Sequence, residues 1–234
     1  MSWRSSAGQW NRWAVERLNS LNEQIFGEAV DGVFMSKKSK QAALVAKPAG
    51  GMALAAKWPL HEVLLSSGWE AQAALVTILV ARRSPMSNKV AAGLFLVDLA
   101  CLGVKSAQVK LFAGPAEYRT GLRAHALNIQ PMAAAEFDLV AKIIATGLEY
   151  AANLGFKPDP VFAQAQHLLA GSDPAACATP VPTGGPAGQP LFVAGPYDDA
   201  RRVVDQLTRT VGAGNFHYIV QVGGDELGLP GDFE

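Results

Sequence analysis

"KVAAGLFLVDLACLG", residues 89–103, decides the fold. Read as a strand, it puts Leu94, Leu96, Asp98, Ala100 and Leu102 on one face and Phe95, Val97, Leu99 and Cys101 on the other. Both faces are then apolar, the mark of a central strand covered on both sides. A helix over 91–102 is the alternative, because Ala and Leu favour it and Gly103 would end it. Periodicity does not arbitrate in a run that is apolar throughout. The neighbouring sequence favours the strand. "ALVTILVARR" (74–83) is β-rich, and "SPMSN" between the two runs supplies turn residues for a hairpin.

Downstream, "AQVKLF" reads as a further short strand, and Pro115 in "GPAEYRTGLRAH" sits at a first helical position. "AAAEFDLVAKIIATGLEYAANLG" carries Phe137, Val140, Ile144, Leu148 and Ala152 as a helical stripe, with Gly155 at its end. "DPVFAQAQHLLAG" follows with Asp159 as N-cap, Pro160 in the first turn and Gly171 beyond, completing a helical hairpin. Residues 171–190 read as a long Gly/Pro loop. "PLFVAG", "DDARRVVDQLTRTVG" and "NFHYIVQVG" then form a β-α-β unit. The expectation is an α+β fold: a mixed β-sheet, a helical hairpin and a C-terminal β-α-β unit, preceded by an N-terminal helical arm.

The arm is "GQWNRWAVERLNSLNEQIF", in which Trp10, Ala14, Leu18, Leu21 and Ile25 recur at helical spacing. "SKKSK" and "KPAGG" behind it read as linker. The expected division is 1–57 as arm and linker, 58–222 as one α+β domain and 223–234 as an acidic tail. Trp10, Trp13 and Leu18 are the candidate partner-binding residues, with ordinary packing onto the main domain as the bland explanation.

Half of the 234 residues are hydrophobic and 17% are charged, so a sizeable core is expected and disorder as the dominant state is excluded. The longest apolar run falls well short of the ~20 residues that span a bilayer. The polar start "MSWRSSAGQW" lacks the apolar core of a secretory signal. Cys101 and Cys177 are the two cysteines, read as free thiols in a reducing cytoplasm. Net charge is zero but segregated: +4 over residues 1–57, +3 over 58–130 and −7 over 131–234. The acidic last part argues against nucleic-acid binding, which needs clustered Lys and Arg.

Asp98 is the one ionisable group within the central apolar run. Burial would raise its pKa or demand a partner, and either a structural pairing or a functional site satisfies that demand. His61 and Glu62 are adjacent, so on a regular strand they face opposite ways and form no common site. His217 alternates along "NFHYIVQ" and reads as a boundary histidine. Asp98, Glu62, His61 and His217 are the candidate catalytic residues of a metal-assisted hydrolase, possible only where the fold gathers them. Zincin, zinc-deaminase, Walker and α/β-hydrolase motifs are missing from the sequence.

"WPLHEVLL", "FLVDLACLGVKSA", "LEYAANLGFKP", "DPAAC", "LFVAGPYDD" and "NFHYIV" resemble stretches of a group of bacterial proteins. The resemblance spans Trp58 to Val222 and implies that this span is one unit; it implies no activity. Two functions remain in play. One is a cytoplasmic binding or scaffolding module acting through protein–protein contacts, with a second copy or another protein as partner and no cofactor. The other is the hydrolase around Asp98, with a divalent metal, acting on phosphodiesters or nucleic acid.

Overall fold

The computed structural model describes residues 49–71, 75–195 and 197–220. Trp10, Trp13, Leu18 and the 223–234 tail lie outside the described residues. Five antiparallel strands form the main sheet: β1 (Leu60–Ser66), β2 (Leu75–Arg83), β3 (Val90–Asp98), β4 (Gly103–Phe112) and β5 (Met132–Ala134), in the order β4-β3-β2-β1-β5. The stretch from Val90 to Asp98 is a strand, every residue of it is buried, and the hairpin to β2 pairs Leu75 with Asp98 through Arg83 with Val90. Both faces of β3 being apolar is thus the consequence of two coverings.

On one face, α4 (Phe137–Asn153) and α5 (Phe162–Ala165), the latter continued by a 3-10 turn over Gln166–Leu169, pack on Ile78, Val80, Phe95, Val97 and Ala107. The helix stripe runs through Val140, Ile143, Ile144, Gly147 and Ala151, while Ala152 is exposed. Gly147 sets how closely α4 approaches the sheet. A Cβ there would meet Val97 at 2.7 Å, and Gly103 (φ +65°) touches the same helix backbone. Asp159 accepts from the Val161 amide at 2.7 Å, an Asx turn that precedes the helix; α5 begins at Phe162 with Val161, not Asp159, at its N-cap.

On the other face lie α2 (Pro115–Tyr118), a π-helical turn (Arg119–Arg123) and α3 (Ala124–Ile129), with Tyr118, Ala126 and Ile129 buried against Leu79, Ala92, Leu94 and Leu96. Beyond the β3–β4 turn of the sheet, β6 (Leu191–Val193), α6 (Ala200–Val211) and β7 (His217–Ile219) form the β-α-β unit, packed around Phe192, Leu207, Cys101 and Leu154. Its two strands pair in parallel with each other and stand apart from the five-stranded sheet. The fold is therefore α+β, with parallel and antiparallel pairing divided between two sheets. Parallel strands need a crossover between them, and α6 supplies it within the unit itself.

α1 (Ala49–Ala55) falls inside the span assigned to arm and linker, yet it buries Met52 and Ala55 in the main core with Trp58. Core therefore begins ahead of Lys57. Arg82 clamps the same corner. Its Nε donates to the Leu168 carbonyl at 2.9 Å, one terminal nitrogen to Trp58 at 2.6 Å and the other to Ala170, while the guanidinium lies over the Phe137 ring. Burial lowers its pKa, and the three carbonyls replace the water it has lost.

Candidate functional site

The four candidate catalytic residues divide between the two ends of the molecule. Glu62 pairs with Ala81, which pairs with Ala92, whereas Asp98 ends the same strand six residues on. At ~3.3 Å per residue that is roughly 20 Å. His217, in β7, lies at the Asp98 end: it pairs with Leu191, whose amide donates to Ala100, and its own amide donates to Pro190 at 2.8 Å.

Asp98 closes the β3–β4 turn. One carboxylate oxygen accepts the amides of Ala100 (2.9 Å) and Cys101 (3.1 Å), and the other accepts that of Leu102 (3.2 Å). Burial pushes its pKa up, while Lys105 and the three amides pull it back. Lys105 lies inside β4. Its ammonium meets Asp198 at 2.7 Å, with only 7% of its side chain exposed. Asp198 also accepts the Gly195 amide at 2.8 Å, and Gly184 and Leu191 donate to the carbonyls of Leu99 and Ala100. These bonds fasten the β-α-β unit to the turn. Cys101 is fully buried here, and desolvation, then the charge of Asp98, pushes its thiol far up. The Tyr150 hydroxyl is buried nearby without a hydrogen-bond partner among the described residues, and burial pushes it up to about 12.

The other end is built differently. β1 carries a bulge: Leu60 opposes Arg82 and Glu62 opposes Ala81, so His61 is the extra residue. A bulge cancels the alternation of a strand locally. His61 and Glu62 consequently turn to the same face, contrary to the expectation from a regular strand. The His61 ring meets the Tyr118 ring edge-on at 5.9 Å, and Glu62 accepts the Tyr118 hydroxyl at 2.5 Å. Opposite the bulge is the π-helical turn, with Gly121 outside helical geometry (φ −95°, ψ −110°). That turn brings Arg123 back to Glu62, its Nε 2.9 Å from both carboxylate oxygens. Glu62 raises the pKa of Arg123 by this hydrogen bond, and burial followed by the bond to Glu62 pushes the Tyr118 phenol far up.

A strand bulge at His61 and a helix kink at Gly121 thus meet at a single point. Bulges recur next to functional sites. Tyr118 and Arg123 are members of this cluster that the sequence did not single out. The available signals were Gly121 within a helical pattern and the departure of "LHEV" from clean alternation. Between the two ends, Thr77, Leu94, Leu96, Ser106, Gln108 and His125 line a shallow cleft of about 10 Å³, room for about one water.

Among the described residues, no group of three or more His, Cys, Asp or Glu side chains is placed to hold a metal ion, and no helix is long and apolar enough to cross a membrane. Comparison with protein-family models, with curated proteins and with solved structures returned no match.

Proposed function

We propose that this chain is a non-enzymatic, cytoplasmic binding module that acts through protein–protein contacts, with a second copy of itself as the first partner. The observation that carries this reading is the meeting of the β1 bulge and the π-helical turn. Together they fix Glu62 and Arg123 at the surface, with exposed His61 and Arg119 beside them. Such an arrangement presents side chains to another surface. Leu54 and Leu60, 58% and 42% exposed, flank the turn into β1 and add apolar area at that end of the strand. Both cysteines are free, which suits a reducing compartment.

The hydrolase reading has weaker support. Both Asp98 oxygens are already acceptors for backbone amides, and Glu62 lies at the far end of the sheet.

Self-association of the full chain, measured by light scattering across a concentration series, tests the proposal. The expected result is a concentration-dependent dimer that Trp10→Ala, Trp13→Ala and Leu18→Ala together, or Leu54→Ser with Leu60→Ser, weaken by about tenfold or more in Kd. A chain that stays monomeric at every concentration and pulls no partner through these residues removes the proposal. A chain beginning at Trp58 is the wrong control, because it lacks Met52 and Ala55 of the core.

A further inference from the structure

We propose that Arg123, with Arg119 and His61 beside it, receives the carboxylates of this chain's own acidic segment, residues 221–234; this rests on the reading of the chain as a binding module. Arg123 is held on one side only. Its Nε is bonded to Glu62, Glu62 is held in turn by the Tyr118 hydroxyl, and Tyr118 is fully buried edge-on against Phe112. The two terminal amino groups of Arg123 make no hydrogen bond among the described residues, and a third of its side chain is exposed. A guanidinium fixed in plane with its outer edge open is preorganised for a carboxylate, which takes two parallel N–H bonds.

The charge around it leaves a surplus. Glu62 offsets Arg123, and Glu117 lies 3.3 Å from Lys110, with Glu117 also accepting the Ala113 amide. Arg119, four residues before Arg123 on the π-helical turn, is exposed and has no ion pair among the described residues. Arg119 and the open edge of Arg123 are thus the cationic groups this turn offers to an incoming anion.

Residues 221–234 have the matching chemistry. Asp225, Glu226, Asp232 and Glu234 are charged, there is no Lys or Arg, and Leu227, Leu229 and Phe233 lie between them. The segment follows β7, at the Asp98 end of the sheet, roughly 20 Å from Glu62 by strand rise. Extended chain from Ile219 to Asp232 reaches about 40 Å. It suffices for the segment's own copy and for a second one.

The test uses a fluorescently labelled peptide of residues 221–234. The receptor is the full-length chain with Asp225, Glu226, Asp232 and Glu234 changed to Asn or Gln, so that the tethered segment does not compete. Saturable binding that weakens with added salt is expected, with Arg123→Gln in the same background weakening it at least about tenfold and Arg119→Gln a few-fold. Arg123→Lys should restore only part, since lysine lacks the fork. Melting curves accompany each variant; where Arg123→Gln melts early, Arg119→Gln and Arg123→Lys carry the result. Equal binding by folded Arg123→Gln, or no binding at millimolar peptide, overturns the proposal. Self-association persisting in that second case separates this failure from failure of the binding-module reading.

Discussion

The chain places a carboxylate at each end of one antiparallel sheet and treats the two in opposite ways. Asp98, 8% exposed, gives both oxygens to backbone amides of its own turn. Glu62 gives its oxygens to two side chains, Tyr118 and Arg123, that arrive from a different element. A carboxylate bonded to its own backbone specifies a loop, whereas one bonded to remote side chains specifies the posture of those side chains. A buried aspartate was the more conspicuous feature of the sequence, yet the half-exposed glutamate sits at the better candidate site.

That contrast is open to attack, and the strongest blow is Asp98→Ala. Three amides lose their acceptor, at least two of them buried, and Lys105 keeps only Asp198. A loss of about 3–5 kcal/mol is expected in thermal or urea melts. A melt unchanged from wild type would erase the distinction. The pH dependence sharpens it. Burial holds the native pKa of Asp98 above its unfolded value of about 4, so the unfolded chain releases its proton first as pH rises. Native stability contributed by this group therefore falls from about pH 4 upward through the native pKa, and Asp98→Asn should abolish that slope.

Tyr118→Phe should cost less, about 1 kcal/mol, because it removes one hydrogen bond from a carboxylate that water and Arg123 still serve. A loss as large as that of Asp98→Ala would make the Glu62 cluster a structural one after all. The smallest effect concerns the thiols. Half-buried Cys177 should react with a disulfide reagent in the native chain while Cys101 does not, because burial keeps its proton on. Two thiols reacting at once would mean that the Asp98 turn is open in solution.

The hairpin, α4 and the β-α-β unit were legible because their apolar residues recur at the period of each element. Val97 and Leu99 face α4, and Val140 and Ile144 face the sheet, as alternation and helical spacing require. The parallel pair's separation from the main sheet was not legible, since short apolar strands carry no record of which neighbour they take. The same holds for α1, where Met52 and Leu54 stand among alanines and glycines and only Met52 of the two is buried. The bulge at His61 and the kink at Gly121 escape for another reason: one extra strand residue, or one glycine that turns the backbone, re-aims side chains while leaving the hydrophobic pattern nearly intact. Asp98 posed the right question with the wrong prospect. Its place at a strand end, shortly before Gly103, was the sign of a turn.

Arg82 ties together carbonyls 24, 86 and 88 residues away along the chain. Such a knot rewards the chain only after both distant loops have closed, so its favourable energy comes after the entropy of closure has been spent. It belongs to the downhill side of the folding barrier and acts as a brake on escape: the β2 corner, once made, is held in place by the slowness of its undoing.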